Sequence, residues 1–207
     1  MPTGMSLRAA FVRDPDSRRL SLIEACAAGL AEEGAAGVSV RSICARAGVS
    51  PGLLRHYFDG IDDLIEATYR HVAAQVSAAL AAAVAAAGLS PVARLRAFVT
   101  ASFLPPIAAP GLLATWLAFW SLVKSRPPIA ALHREIYAAS LAELEALLRA
   151  ADVPDADART AAIAVTALVD GLWLELSLDA GAFTPAEAGA MADRWLAVWL
   201  PRSGGPA

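Results

Sequence analysis

One stretch of the sequence, residues 38–58, constrains the fold more than any other. It reads VSVRSICARAGVSPGLLRHYF, in which Ser39 can cap a short helix whose apolar positions recur at steps of three and four residues. Gly48 supplies a left-handed turn, and Ser50 followed by a proline begins a second helix. Two short helices joined by a tight turn have the shape that places a helix in the major groove of DNA.

The outward side of this predicted motif supplies candidate contacts to DNA. Leu54 and Phe58 lie four residues apart and can pack inward, which leaves the other side of the second helix exposed. All charged residues in the stretch are arginines, so it is locally positive although the whole chain has a net charge of −3. An ordinary helical hairpin with solvated arginines stays open as an alternative. The outward positions are Pro51, Gly52, Leu53, Arg55 and His56, with Tyr57 at the flank.

The segment AGVSPGLLRHYF resembles the recognition-helix pattern of TetR-type repressors, and the likeness extends from about Arg18 to Arg70. Many relatives carry lysine where this chain has Pro51 and Ile61, and each missing cation predicts a weaker salt dependence of DNA binding. The resemblance implies phosphate contacts by Ser39, Arg41, His56 and Tyr57, and a position facing base edges for Ser50, Pro51, Gly52, Leu53 and Arg55.

The rest of the chain indicates an all-α protein with a substantial core. The 207 residues are 57% hydrophobic, and no segment alternates at period two for long enough to predict a sheet. Residues 97–123 carry no formal charge, but prolines and a glycine interrupt them in the middle, so we predict two buried helices instead of a membrane span. Signal-peptide features are absent, and we expect a cytoplasmic protein.

Turn-forming residues divide the chain into nine predicted helices. The first helix is expected to place Leu20 on its inner face, and Asp59 is expected to cap the long fourth helix. We predict a flexible N-terminal arm over residues 1–16, a DNA-binding domain over 17–75, and a domain for ligand binding and dimerisation over 76–207. The predicted helices span residues 17–33, 40–47, 51–58, 60–88, 91–104, 112–125, 129–150, 156–178 and 185–200.

Aromatic residues and one acid in the second domain form a candidate ligand site. The segment TWLAFWSLV contains Trp116, Phe119 and Trp120, and VTALVDGLWLEL contains Asp170 with Trp173 three residues later. Aromatic faces with an unpaired carboxylate suit a quaternary ammonium, which is held by cation–π and charge attraction. Alternatively, the tryptophans belong to the core or to dimer contacts, and Asp170 pairs with an arginine such as Arg134 or Arg159.

A second resemblance concerns this domain. The segments WLAFWS, LHR and DGLWL are similar to the C-terminal domain of BetI-type repressors, a choline-responsive branch of the same family. The likeness adds His133 to the candidate ligand residues and implies a nine-helix homodimer that represses genes of glycine betaine synthesis until choline or its aldehyde binds. Glu175 stands where a basic residue is expected, so a different apolar or cationic effector stays open.

Dimerisation is assigned to the last two predicted helices, because their apolar faces exceed what one small core needs. Two copies would place their recognition helices in successive major grooves about 34–36 Å apart, on a palindromic operator. The predicted dimer residues are Leu168, Leu172, Leu176, Trp195, Val198 and Trp199.

An α-helical enzyme that uses Asp170, His133 or Glu175 in acid–base chemistry is a distant alternative. No spacing typical of a nucleophile and base, a phosphate loop or a metal site supports it. We therefore predict no catalytic residue, no metal and no cofactor.

Overall fold

The computed structural model describes residues 15–200, and within that range it contains nine α-helices and no strand. The prediction of an all-α, nine-helix fold is confirmed. The predicted arm lies outside the described residues except for its last two positions. The helices are α1 (Pro15–Gly37), α2 (Val40–Ala47), α3 (Pro51–Tyr57), α4 (Ile61–Ala86), α5 (Pro91–Ala101), α6 (Pro110–Val123), α7 (Pro127–Ala150), α8 (Asp155–Leu178) and α9 (Pro185–Leu196).

Several local predictions were wrong, including the ends of the first and fifth helices, which lie at residues 37 and 101 instead of 33 and 104. Asp59 does not cap α4, because Gly60 occupies the N-cap position without a side-chain bond, and the Asp59 N–H instead donates to the Asp63 carboxylate at 3.1 Å. Leu20 is 39% exposed because it lies on the outer side of α1. The last helix ends at Leu196 instead of residue 200, and the turns that follow it leave Val198 75% exposed.

The N-terminal helices pack as a compact unit on α4. Helix α1 contacts α2 and α4, and α2 contacts α3, so the predicted motif rests on α1. Helix α1 also packs extensively against α6, where the Thr115 hydroxyl lies 3.3 Å from the Ala27 carbonyl oxygen. The N-terminal unit and the remaining helices therefore share α4 and the α1–α6 contact, and one hydrophobic core runs through both. The domain boundary near residue 75 stays a prediction.

Helices α4 and α7 lie side by side with a nearly constant offset in sequence. At the N-terminal end of α4, the Asp62 carboxylate pairs with Arg126, the residue before α7. About two turns further on, the Tyr69 hydroxyl bonds His133 Nδ1 at 2.9 Å, and Arg70 forms two hydrogen bonds to Glu135 at 2.8 and 3.2 Å. These three links lie 64 or 65 residues apart in sequence and hold α7 in register with α4.

Among the described helices, α8 alone is long and apolar enough to cross a bilayer. Length and composition are weak indicators, since helices that pack inside proteins meet the same criterion. In this structure α8 packs against α6, α7 and α9.

The turn between α2 and α3 generates a test of local stability. Gly48 adopts φ +66°, where a Cβ is strained, whereas Gly52 lies in α3 and its added Cβ would meet only ordinary contacts. We expect Gly48→Ala to lower the free energy of unfolding by about 1 kcal/mol and Gly52→Ala to leave it unchanged or raise it by about 0.5 kcal/mol. Urea unfolding of both variants measures the difference, and equal effects would show that the positive φ does not matter.

Candidate functional sites

The α2–turn–α3 unit is formed by local hydrogen bonds that the sequence encodes. Ser39 and Ser42 form a reciprocal capping box at α2, with Ser39 Oγ accepting from the Ser42 N–H at 3.1 Å. The Val49 N–H donates to the Cys44 carbonyl across the left-handed turn. Ser50 then caps α3 by accepting from the Leu53 N–H at 3.2 Å. These bonds fix the angle at which α3 leaves the turn.

The outer face of α3 carries the predicted base-facing residues. Leu54 is fully buried and Phe58 is 2% exposed, so both anchor the helix to the core as expected. The Arg19 guanidinium lies over the Phe58 ring, 5.0 Å from its centroid, and the His56 and Tyr57 rings meet edge to face. Ser50, Pro51, Gly52, Arg55 and His56 are exposed, whereas Leu53 and Tyr57 are half-buried.

The arginines of the unit differ in their availability. Arg46 bonds Glu32 with both terminal nitrogens at 3.0 and 2.7 Å and also reaches Glu33 at 3.1 Å, so α1 neutralises its charge. Arg41 is exposed on the same helix and forms no ion pair with any described residue. The positive charge of the surface therefore depends on fewer arginines than the sequence count indicated.

A hollow of about 380 Å³ beside the turn was not predicted. Ser17, Arg18 and Ser21 of α1 face Gly48 and Leu53 across it. The spacing of residues within α1 does not show that Ser17, Arg18 and Ser21 lie beside the turn between α2 and α3.

A cavity of about 390 Å³ lies between α4, α5, α7 and α8, with Trp116 of α6 in its wall. Its wall includes Asp170, Trp116 and Trp173, three of the predicted ligand residues. Phe98 and Tyr137 add two further aromatic rings. The structure therefore brings an acid and four aromatic side chains to one cavity.

Asp170 is largely buried, and Tyr137 is its hydrogen-bond partner. The Tyr137 hydroxyl donates to Asp170 Oδ2 at 3.0 Å, and no described arginine pairs with the carboxylate. The alternative prediction that Asp170 pairs with Arg134 or Arg159 is wrong, because Arg134 is exposed on α7 and Arg159 approaches Glu145 instead. Burial raises the pKa of Asp170 to about 6, and the Tyr137 hydrogen bond opposes that rise.

The tryptophans of the cavity are held by the surrounding protein. Trp173 Nε1 donates to the Ser102 carbonyl at 2.9 Å, which ties α8 to the end of α5. The Trp116 and Trp173 ring centroids lie 6.2 Å apart. Both side chains are at most 7% exposed, so they form a preorganised wall.

Three predicted ligand residues do not line the cavity. Phe119 is fully buried and stacks on Tyr69 with centroids 4.2 Å apart. His133 bonds the Tyr69 hydroxyl. Burial lowers the pKa of His133, and the positive charge of Arg134 lowers it further. Trp120 donates its Nε1 hydrogen to the Tyr137 hydroxyl at 3.0 Å, so it lies behind the cavity wall.

Tyr137 was not among the predicted ligand residues, although it lies four residues after His133 on the side of α7 that faces the cavity. The pattern alone does not show which turn of α7 faces Asp170 on α8. Glu175, considered as a catalytic group, is exposed and lies outside the cavity, so it does not converge with Asp170 and His133.

The predicted dimer residues differ in their exposure to solvent. Val198 is exposed, Leu176 is only 7% exposed and packs within its own chain, and the other four are half-buried. The Trp195 and Trp199 rings lie 5.8 Å apart. Further exposed apolar residues that the sequence analysis did not select are Ile163, Leu178 and Met191.

Two protein families match the chain in succession. Residues 22–68 match the bacterial regulatory proteins of the tetR family, and residues 91–201 match the C-terminal domain of BetI-type transcriptional repressors. The first match contains the helix–turn–helix unit, and the second contains α5 to α9, which supply the cavity wall except for the part formed by α4.

Individual relatives agree with these family matches. The chain is 39% identical over 191 residues to the HTH-type transcriptional regulator BetI of Burkholderia thailandensis, covering 90% of this chain and 95% of that protein. A transcriptional regulator structure from Pseudomonas aeruginosa PAO1 has a TM-score of 0.82 at 39% identity, covering 93% of this chain and 95% of that one. A regulator from Saccharomonospora viridis in complex with choline has the same fold, with a TM-score of 0.76 at 19% identity over 88% of this chain and 96% of that one.

The buried carboxylate predicts a pH-dependent cost to folding. The pKa of Asp170 is higher in the folded state than in the unfolded state, so ionisation of Asp170 lowers the free energy of unfolding. This destabilisation is complete above about pH 6 and disappears as the pH falls toward the unfolded pKa near 4. We expect Asp170→Asn to stabilise the ligand-free protein by about 1–3 kcal/mol near pH 7.5 and by about half as much at pH 5.

Urea unfolding at a fixed protein concentration measures this effect, and the exposed Glu175→Gln change on the same helix is the matched control. A destabilised Asp170→Asn variant near pH 7.5 would show that the protein already compensates the carboxylate charge.

Proposed function

Because the chain belongs to the TetR family of transcriptional regulators, with a BetI-type repressor domain at its C-terminal side, we propose that it is a homodimeric repressor that choline or a related quaternary ammonium releases from a palindromic operator. The observation that carries the proposal is the Asp170 carboxylate in a cavity walled by aromatic rings. We expect such a regulator to act in the cytoplasm and to control genes of glycine betaine synthesis.

The cavity offers the chemistry that a quaternary ammonium requires. Such a cation cannot donate a hydrogen bond from its nitrogen, so charge attraction and aromatic faces provide its recognition. Each favourable aromatic contact contributes about 0.5–2 kcal/mol, and Trp116, Trp173, Tyr137 and Phe98 are available. The choline bound to the Saccharomonospora viridis regulator and the BetI name of the Burkholderia relative support this choice.

The exposed side of α8 supports the proposed dimer. Ile163 is 46% exposed and Leu178 is 66% exposed, and the positions between them include the exposed small residues Ala167 and Gly171. Small residues allow a second helix to approach closely, and large apolar residues at the ends would be buried by it. A partner copy would also cover the half-buried Leu168, Leu172, Trp195 and Trp199.

The packing of α4 offers a route from the cavity to DNA. Helix α4 follows α3, which is the predicted recognition helix. Further along α4, several side chains between Arg70 and Leu80 line the cavity. An effector that fits the cavity better in one position of α4 than in another shifts the equilibrium between those positions. A nearly complete switch needs about 5.5 kcal/mol of differential binding, which several aromatic contacts and one ion pair can supply together.

The two arginines of α2 generate a prediction for DNA binding. Arg41 is free to reach a phosphate, whereas Glu32 and Glu33 hold Arg46. We expect Arg41→Ala to reduce the slope of log affinity against log salt concentration by about one unit per half-site. Arg46→Ala, the matched control, leaves that slope unchanged.

Fluorescence anisotropy with a specific DNA fragment at several salt concentrations measures both slopes. A smaller slope for Arg46→Ala, with Arg41→Ala unchanged, would contradict the proposed phosphate contacts.

The cavity generates a second prediction. We expect choline and betaine aldehyde to bind, and glycine betaine to bind at least tenfold more weakly, because its carboxylate meets the acidic Asp170 and Glu143 in the wall, whereas Arg70 already neutralises Glu135. Asp170→Asn is expected to weaken choline binding at least tenfold and to leave operator affinity without effector nearly unchanged.

Isothermal titration calorimetry measures the ligand affinities, with Glu175→Gln as the control variant. Equal choline affinity in wild type and Asp170→Asn would place the cation elsewhere.

A further inference from the structure

A chain of hydrogen bonds joins three helices at the cavity wall. Trp120 of α6 donates its Nε1 hydrogen to the Tyr137 hydroxyl of α7 at 3.0 Å. That hydroxyl lies 3.0 Å from Asp170 Oδ2 on α8. Tyr137 and Asp170 line the cavity, whereas Trp120 does not.

The chemistry of the three groups fixes the direction of the chain. An indole nitrogen can only donate, so the Tyr137 hydroxyl must accept from Trp120. The single hydroxyl hydrogen of Tyr137 is therefore directed to Asp170. An accepted hydrogen bond also makes a hydroxyl a stronger donor, so Trp120 strengthens the bond that reaches the carboxylate.

The donated bond favours the ionised carboxylate against its burial. Burial disfavours the charge of Asp170, whereas a hydrogen bond to its charged form favours it. Among the described residues, Tyr137 is the hydrogen-bond partner that supplies this effect. Without it, an empty cavity would hold a larger share of neutral carboxylic acid at neutral pH.

Few other charges near Asp170 can replace this bond. Tyr69 of α4 lies near Asp170. Burial raises the pKa of Tyr69, and the negative charge of Asp170 raises it further. The Tyr69 hydroxyl bonds His133, so it does not replace the bond to Asp170. On α7, the ring centroids of His133 and Tyr137 lie 4.1 Å apart. Because the pKa of His133 is lowered, this ring is neutral near pH 7.

The remaining charged groups that line the cavity come from α4 and α7. Arg70 of α4 and Glu135 of α7 neutralise each other, and Glu143 is a further acid. The lining residues of α5 and α6, Phe98, Val99, Ser102 and Trp116, carry no titratable group.

We propose that Trp120 and Tyr137 are positioning residues that orient the Asp170 carboxylate in the cavity and keep it ionised for a cationic effector. Their hydrogen-bonding atoms are used within the protein, so their polar groups act on the ligand through Asp170. The inference rests on the proposed function for the identity of the cation, but the state of Asp170 can be measured without any ligand.

The first experiment measures the titration of Asp170 in the full-length, ligand-free protein. Carboxyl-carbon NMR of protein labelled at aspartate follows each acid, and the signal lost in Asp170→Asn identifies the one of interest. We expect Tyr137→Phe to raise the Asp170 midpoint by at least one pH unit and Trp120→Phe to raise it by a smaller amount. Tyr69→Phe, the matched control, removes a buried tyrosine hydroxyl that bonds His133 and leaves the midpoint in place.

The second experiment measures choline affinity of the same variants between about pH 6 and pH 8.5. We expect Tyr137→Phe to bind choline at least twofold more weakly at pH 7, because a midpoint raised by one pH unit from about 6 leaves half of the carboxylate neutral. The variant is expected to recover most of that loss at pH 8.5, where the carboxylate is ionised again. A loss of the same size at every pH would indicate only a damaged cavity and would overturn the positioning role.

The two experiments separate the inference from the proposed function. An unchanged Asp170 midpoint in folded Tyr137→Phe overturns the inference, and if that variant does not fold, an unchanged midpoint in Trp120→Phe does so. If the midpoints shift as expected but no choline binds to wild type, the proposed effector is wrong and the role of Tyr137 and Trp120 stands.

Discussion

Burying the Asp170 carboxylate among aromatic and aliphatic side chains costs free energy, because the charged form loses water that the protein replaces with one hydrogen bond. That cost is greatest when the cavity is empty. A bound cation offsets it, so the arrangement that destabilises the ligand-free protein also favours ligand binding. The residues around the acid, including Tyr137 and Trp120 behind it, are arranged to maintain this state.

Packed helices join the cavity to the helix–turn–helix unit, because α4 runs as one helix from Ile61 to Ala86. Helix α4 leads from the recognition helix into the cavity wall, and the links from Asp62, Tyr69 and Arg70 to α7 hold the two helices in register. Helix α7 in turn supplies Tyr137 to Asp170. A change at Asp170 therefore reaches α4 through one intervening helix, which is the route we propose for the release of DNA.

The sequence predicted best what depends on neighbouring residues. The caps at Ser39 and Ser50, the turn at Gly48 and the buried Leu54 all follow from side chains within four positions of one another. The cavity was predicted only in part, because it depends on how distant helices align. Trp116 and Trp173, two of the predicted ligand residues, line the cavity. Tyr137 was not predicted and Trp120 was, although Tyr137 lines the cavity and Trp120 does not, since spacing within α6 and α7 does not show how they face α8.

The most direct test of the account compares choline with its uncharged carbon isostere, in which a tert-butyl group replaces the trimethylammonium group. Fluorescence anisotropy follows the release of a DNA fragment that the protein binds specifically, as each compound is added. We predict that choline releases the DNA and that the isostere, which has the same shape but no charge for Asp170, does not do so at the same concentrations. Equal release by both compounds, or release by neither, would contradict recognition of a cation by the buried carboxylate.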